Sequence, residues 1–219
     1  MGVGLVLRRA RGARTAALAA SLLALAPVTT AVAPAQAAPA IQQGEAIRGP
    51  NNAPCALSIV SATTAYTAMH CLEGGKVGDK ITSRAGAGVI GRVSALGTDL
   101  PRGKQLDVAK IDLAPGVTVK GHVGAGDSAR LKSGDPVQIK APGNRGRGAI
   151  VDPNPKWYSI KNDGKFYSFI ISADIQTFGG NSGGALVDAQ DNLVGVLAGG
   201  NAKNRSYYTP INEIRALLG

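Results

Sequence analysis

Ser182 lies in the glycine-rich stretch GGNSGGAL, which spans residues 179–186. A serine hydroxyl is a weak nucleophile at neutral pH, so it needs an imidazole to take its proton and a carboxylate to orient that imidazole. Because glycine makes up 30 of the 219 residues, such a run can also be a flexible turn without chemistry. Ser182 is therefore a candidate nucleophile whose role depends on a histidine and an acid elsewhere in the chain.

Two histidines are available as the base, His70 and His122. His70 lies in TAMHC, directly after an apolar segment and beside Cys71, where a disulfide would fix the neighbouring backbone. His122 stands in the glycine-rich stretch GHVGAGD, where an exposed loop histidine is the ordinary case. We therefore interpret His70 as the candidate general base.

Residues 1–37 have the pattern of a cleavable export signal. Four arginines precede an alanine- and leucine-rich stretch over residues 15–33, and Ala35-Gln36-Ala37 is a small-x-small cleavage site. Pro27 interrupts the apolar stretch and Pro34 follows it directly. These prolines favour a signal peptide over a membrane anchor, since a spanning helix needs about 20 apolar residues. We expect a secreted mature chain that begins between Ala38 and Ile41 and has no stable membrane association. Both the general and the twin-arginine export routes remain open.

Cys55 and Cys71 are the two cysteines of the chain. Export to an oxidising compartment predicts that they pair, and closing a loop of this length stabilises a fold by about 3 kcal/mol through chain entropy. Two cysteines and two histidines without ligand spacing do not make a zinc site. We expect neither a metal nor an organic cofactor.

The basic residues of the chain are scattered rather than clustered. The 24 Lys and Arg exceed the 14 Asp and Glu, and the formal net charge of +10 falls to about +6 without the four signal arginines. No aromatic residues are interleaved with the lysines and arginines, which is typical of a solvated surface rather than of a nucleic-acid groove. We expect no nucleic-acid partner.

The mature chain has short alternating or β-branched runs separated by Gly, Pro, Asn and Asp, and this pattern predicts an all-β sandwich or barrel. The predicted strands are 55–60, 64–68, 88–96, 106–113, 136–141, 157–161, 166–173 and 193–198. One helix is predicted over residues 211–218, with Ile211 and Ile214 on its apolar face. The glycine-rich stretch 121–127 divides the strands into two halves.

Four stretches together resemble the chymotrypsin-type serine proteases. They are CALSIV (55–60), AYTAMHC (65–71), LDVAKIDL (106–113) and GGNSGGAL (179–186). The stretches IQQGEAI, GVLAGG and YYTPI resemble the secreted bacterial streptogrisin group within that superfamily. The resemblance implies two packed six-stranded antiparallel Greek-key barrels with a short C-terminal helix, the first barrel within residues 38–122 and the second, with the helix, within 123–219.

The resemblance also assigns roles to particular residues. His70 becomes the general base, Asp107 the acid that orients it and Ser182 the nucleophile. Asp107 is preferred to Asp99 and Asp112 because DVAKIDL has the family's Asp-aliphatic-Ala start. The backbone N–H groups of Gly180 and Ser182 would bind the oxyanion, and Cys55 would pair with Cys71.

Three positions depart from the family pattern. Asn181 replaces the acid that pairs with a newly cut N-terminus in animal relatives, which predicts an enzyme without that switch, as in the glutamyl-endopeptidase branch. Phe178 stands where the streptogrisin group has a second disulfide cysteine. Ala198 replaces a serine that commonly bonds the triad acid.

The resemblance also implies a primary substrate pocket. Its walls would be Gln176, Thr177, Phe178, Ala198, Gly199, Gly200 and Ser206. Neither an aspartate, as needed for Lys or Arg substrates, nor a histidine, as needed for Glu, is among them, so we expect a small or medium apolar side chain.

The predicted function is that of a monomeric serine endopeptidase acting on proteins or peptides through an acyl-enzyme. The alternative is an inactive secreted binding protein on a protease scaffold, since a fold does not determine function.

Overall fold

The structure of the protein is a computed structural model, and it describes residues 39–50, 52–86, 88–160, 164–201 and 203–219. The predicted export signal, residues 1–37, lies outside the described residues. Within the described ranges no helix is long and apolar enough to span a membrane.

The described residues form fourteen strands and one α-helix, which confirms the all-β prediction. The strands are β1 (Ala40–Gln42), β2 (Glu45–Arg48), β3 (Pro54–Ile59), β4 (Thr64–Thr67), β5 (Lys80–Ser83), β6 (Val89–Leu96), β7 (Ala109–Leu113), β8 (Thr118–Lys120), β9 (Pro136–Lys140), β10 (Arg147–Ile160), β11 (Phe166–Ala173), β12 (Ala185–Val187), β13 (Leu193–Gly200) and β14 (Ser206–Pro210). The helix α1 is Ile211–Leu218.

Twelve of the strands form two closed antiparallel barrels. The first has the order β2-β3-β4-β7-β6-β5 and the second the order β10-β11-β14-β13-β12-β9. In each barrel three consecutive strands are neighbours, and the fourth crosses over to lie beside the first, which is the Greek-key arrangement. The predicted pair of six-stranded Greek-key barrels is therefore confirmed.

The remaining two strands, β1 and β8, pair in parallel outside the barrels, with Ile41 opposite Val119. Ile41 is 1% exposed and packs into the core of the first barrel. This strand pair therefore fastens the beginning of the described chain to the first barrel.

Three apolar clusters hold the molecule together. One fills the first barrel and a second fills the other barrel. The third joins the two barrels and the helix, with Tyr66 and Val108 from the first half packed near Val196, Ile211 and Ile214. The predicted apolar face of α1 thus covers this joint, since Ile211 and Ile214 are its fully buried residues.

The observed strands differ from the predicted ones mainly where segments are short. Strands β1, β2, β5, β8, β12 and β14 were not predicted, because three to five residues carry too little periodicity to stand out from their flanking polar and glycine residues. The predicted strand 157–161 is the end of the longer β10. The predicted strand 106–113 begins only at Ala109, so Asp107 lies just before β7.

Candidate active site

His70 lies in a short 3₁₀ turn, Met69–Leu72, which follows β4 directly. The next residue, Cys71, forms a disulfide with Cys55 on β3, and their Cα atoms are 6.2 Å apart. The predicted disulfide is confirmed, and because it clamps the turn to β3, it restrains the backbone at His70.

His70 and Asp107 are in direct contact. The Nδ1 atom of His70 is 2.7 Å from Oδ2 of Asp107, and the backbone N–H of His70 donates to Oδ1 at 2.9 Å. The Asp107 side chain is wholly buried. An ionised carboxylate only accepts hydrogen bonds, so this contact places the imidazole proton on Nδ1 and leaves Nε2 able to accept a proton.

Two hydroxyls hold the backbone of the acid in place. The N–H of Asp107 donates to Ser168 Oγ at 3.3 Å, and Ser168 Oγ lies 2.7 Å from Thr209 Oγ1. Ser168 and Thr209 are fully buried residues of β11 and β14. The second barrel therefore positions an acid that belongs to the first, and nothing in the local sequence of either strand signals this contact.

The first residue of β11 also reaches the imidazole. The rings of His70 and Phe166 meet edge to face, with centroids 6.3 Å apart and planes at 66°. Beside them Lys165 Nζ forms an exposed ion pair with Glu73 Oε1 at 2.8 Å. Phe166 is thus a neighbour of the candidate base that sequence reasoning missed, because it looked like an ordinary strand residue.

The backbone around Ser182 is fastened to the first barrel. Ala56 N donates to Ser182 O at 2.8 Å, and Ser58 Oγ donates to Gly183 O at 2.8 Å. Gly183 has a φ of +80°, and a Cβ there would lie 2.4 Å from the carbonyl oxygen of Ala56. Only glycine fits this close approach, so one glycine of the motif is required by the contact between barrels.

The Ser182 carbonyl oxygen lies 3.8 Å from Cys71 Sγ, next to the turn that carries His70. The Ser182 hydroxyl makes no hydrogen bond with any residue the structure describes. Catalytic hydrogen bonds are often long without substrate and form only in the complex. The structure therefore joins His70 to Asp107 directly and brings the backbone of Ser182 against the neighbour of His70.

Residues 178–181 form a tight turn in front of Ser182. Asn181 N donates to Phe178 O at 3.0 Å, and Gly180, at the third position, has a φ of +90°. A positive φ at that position is the signature of a type II turn. Within the described chain neither Gly180 N–H nor Ser182 N–H has an acceptor.

The predicted pocket residues fall into two groups. Thr177, Ala198 and Ser206 are buried, and a Cβ on Gly200 would lie 2.2 Å from Thr177 Oγ1, so Thr177 touches the Gly200 backbone. Gln176 and Phe178 are exposed, and the position of a Cβ on Gly199 is open space.

The second histidine takes no part in the contact between His70 and Asp107. His122 is exposed on a loop, with Nε2 2.9 Å from Asn192 Oδ1. Among the described residues no group of three or more His, Cys, Asp and Glu side chains could hold a metal ion.

Comparisons with known proteins identify relatives of this chain. The Trypsin family model matches residues 27–218. A curated relative, "Serine protease HtrA-like" of Staphylococcus aureus (strain bovine RF122 / ET3-1), is 28% identical over 173 residues, which cover 72% of this chain and 22% of that protein. The chain thus spans about a fifth of the length of the curated relatives it matches.

Solved structures of bacterial proteases share the fold. The Cellulomonas bogoriensis chymotrypsin is 18% identical with a TM-score of 0.61, over 81% of this chain and 95% of that one. The Nocardiopsis protease is 18% identical with a TM-score of 0.62, over 82% and 97%. The resemblance predicted from the sequence is therefore confirmed, and the chain belongs to the trypsin family of serine peptidases.

Proposed function

We propose that this protein is a secreted endopeptidase that cleaves peptide bonds through an acyl-enzyme, with His70, Asp107 and Ser182 as its catalytic triad. The observation that carries the proposal is the contact between the His70 ring and the buried Asp107 carboxylate. The residue after His70, Cys71, lies 3.8 Å from the Ser182 carbonyl oxygen, which brings the three residues to one region.

The proposed reaction begins with attack of Ser182 Oγ on the substrate carbonyl carbon while His70 Nε2 takes the hydroxyl proton. Asp107 stabilises the imidazolium, which then gives the proton to the leaving amine as the C–N bond breaks. Water, deprotonated by the same imidazole, releases the acyl group and restores the Ser182 hydroxyl.

The negative oxygen of each tetrahedral intermediate would be bound by the N–H groups of Gly180 and Ser182. Both donors are without an acceptor in the described chain, which supports this role. Donors fixed in advance cost no reorganisation during the reaction, and loss of one costs about 3–4 kcal/mol of barrier.

The primary pocket would accept a small side chain, such as that of alanine. Thr177 touches the Gly200 backbone and is 5% exposed, so its side chain takes the space that a larger substrate group would need. This contact supports the small end of the range expected from the sequence.

The competing function is that of an inactive binding protein. One observation favours it, since the Ser182 hydroxyl makes no hydrogen bond with the His70 ring in the described structure.

Labelling of the purified mature protein with a fluorophosphonate separates the two functions. An active triad gives stoichiometric labelling that is lost in Ser182→Ala, whereas a folded protein that stays unlabelled supports the binding protein. Mass spectrometry of the protein recovered from culture medium checks secretion and cleavage after residue 37.

A further inference from the structure

Two buried asparagines meet at the turn that carries Gly180: Asn181 is the last residue of that turn, and Asn144 contacts it from another part of the chain. Asn181 is 3% exposed and Asn144 is 8% exposed. Asn144 Nδ2 donates to Asn181 Oδ1 at 2.9 Å, and Phe178 N donates to the same oxygen at 3.0 Å. Asn181 Nδ2 donates to Pro142 O at 3.0 Å. Both polar atoms of the Asn181 side chain therefore have partners within the protein.

Asn144 lies in the turn between β9 and β10, where it exchanges backbone hydrogen bonds of 3.0 and 3.1 Å with Ala141. Its Nδ2 also donates to Gln176 O at 2.9 Å, and its Oδ1 accepts from Gly146 N at 2.9 Å. One side chain thus connects the β9–β10 turn to both ends of the segment 176–181.

The turn of residues 178–181 is closed twice by Asn181. Its backbone N–H donates to Phe178 O, and its side-chain oxygen accepts from Phe178 N. The side-chain oxygen is itself held by Asn144. If this asparagine pair were loosened, the turn would lose the contacts that keep Gly180 at its positive φ.

We propose that Asn144 is a positioning residue that acts through Asn181 to keep the N–H groups of Gly180 and Ser182 directed at the reacting oxygen. This inference rests on the proposed protease function. We call the hydrogen bond between the Asn144 and Asn181 side chains the lock. It is uncharged, and it joins the β9–β10 turn to the turn of residues 178–181.

The lock requires an amide at both positions. A carboxylate accepts but does not donate, so an acid at position 144 would turn an oxygen toward Gln176 O and Asn181 Oδ1. An acid at position 181 would face Pro142 O in the same way. Buried polar groups left without partners are costly. Either acid would therefore open the turn, although an aspartate side chain has the same shape as an asparagine side chain.

Charged groups lie near the asparagine pair without bonding to its amides. The Arg145 guanidinium donates to the backbone oxygens of Ala141 and Asn144, and Lys140 pairs with Asp191. Among the described residues no charged side chain hydrogen-bonds either amide side chain.

The test compares Asn144→Ala and Asn144→Asp with the wild type on a chromogenic peptide substrate. Because the donors act on the transition state and not on the bound substrate, kcat is expected to fall between tenfold and about 10³-fold while KM stays within about threefold. Affinity for a peptide aldehyde, whose hemiacetal oxygen would occupy the same site, is expected to fall in parallel. The double variant Asn144→Ala/Asn181→Ala is expected to lose no more than Asn181→Ala alone, because Asn144 acts through Asn181.

Asn212→Ala is the matched control. Asn212 also ties a turn through its amide, accepting from Ser128 N at 3.2 Å and donating to Asp127 Oδ1 at 2.8 Å. It is expected to lower the free energy of unfolding without changing kcat.

The outcomes separate this inference from the proposed function. The inference is overturned if folded Asn144 variants keep the wild-type kcat and aldehyde affinity. It is also overturned if Asn212→Ala loses as much kcat as the Asn144 variants do. If Asn144→Ala fails to fold, the isosteric Asn144→Asp decides by the same measurements. A wild-type protein that no fluorophosphonate labels refutes the proposed function itself.

Discussion

Thr177 is expected to limit the primary pocket, and Thr177→Gly should enlarge it. The Oγ1 atom of Thr177 lies against Gly200, so closely that a Cβ on Gly200 would be 2.2 Å away. Replacing threonine by glycine removes three heavy atoms from this contact. Gly200 in turn pairs with the fully buried Ser206 across β13 and β14.

The expected magnitude follows from the size difference between substrates. Leucine has three more carbons than alanine, and each buried CH₂ contributes about 0.8 kcal/mol. If Thr177 blocks these carbons and Thr177→Gly accommodates them, the ratio of kcat/KM for leucine to that for alanine should rise by about 2.4 kcal/mol, or roughly 60-fold.

The assay measures kcat/KM for two matched peptide p-nitroanilides that differ only in leucine or alanine before the scissile bond. Thr118→Gly, at an exposed position of β8, is the control and should leave the ratio unchanged. The reasoning would be refuted by a wild type that prefers leucine, or by a folded Thr177→Gly variant with an unaltered ratio.

Three further predictions concern the triad, the disulfide and the core. Asp107→Asn should lower kcat by about 10³–10⁴-fold, because an amide donor facing Nδ1 puts the imidazole proton on the wrong nitrogen; steady-state kinetics on the folded variant checks this, and a change below tenfold would contradict it. Joint replacement of Cys55 and Cys71 by serine should lower the free energy of unfolding in urea by about 3 kcal/mol; a smaller loss than 1 kcal/mol would show that the clamp at the His70 turn is dispensable for stability. Burial raises the pKa of the Tyr208 phenol, and the nearby Ser206 hydroxyl offsets this rise only in part. The Tyr208 hydroxyl has no hydrogen-bond partner within the described chain. The folded state therefore favours the neutral phenol. This contribution to the free energy of unfolding is complete below the ordinary tyrosine pKa of about 10 and is lost as pH rises above it. Tyr208→Phe should therefore flatten the fall in stability between pH 9 and 11, and an unchanged slope would contradict the prediction.

Local sequence was informative about the candidate chemistry because each residue of the proposed triad lies in a short, recognisable context. GGNSGGAL, TAMHC and LDVAKIDL each carry one functional group with its neighbours. The terminal helix was also readable, since Ile211 and Ile214 recur at helical spacing. The short strands were not, because a segment of three to five residues becomes a strand only when a partner strand supplies its hydrogen bonds.

The supports of the site were decided by the tertiary structure alone. Ser168 meets Asp107 across 61 positions of sequence, and Asn144 meets Asn181 across 37. Such contacts depend on how each barrel closes and how the barrels pack, and a serine on a strand or an asparagine in a turn looks the same with or without them. The glycines of GGNSGGAL are visible in the sequence, but only the tertiary structure shows that Gly183 is required by its close approach to Ala56.

The sequence by itself determined the residue types: a serine, a histidine and an aspartate in the order of a known family, two cysteines able to pair, and glycines around the serine. Tertiary structure decided their relations. It placed the Asp107 carboxylate on the His70 ring, left the N–H groups of Gly180 and Ser182 without acceptors in the described chain, set Thr177 against Gly200 and joined Asn144 to Asn181. The reason is physical, since chemistry at a site requires fixed distances, and distances between residues far apart in sequence exist only once the barrels have closed and packed.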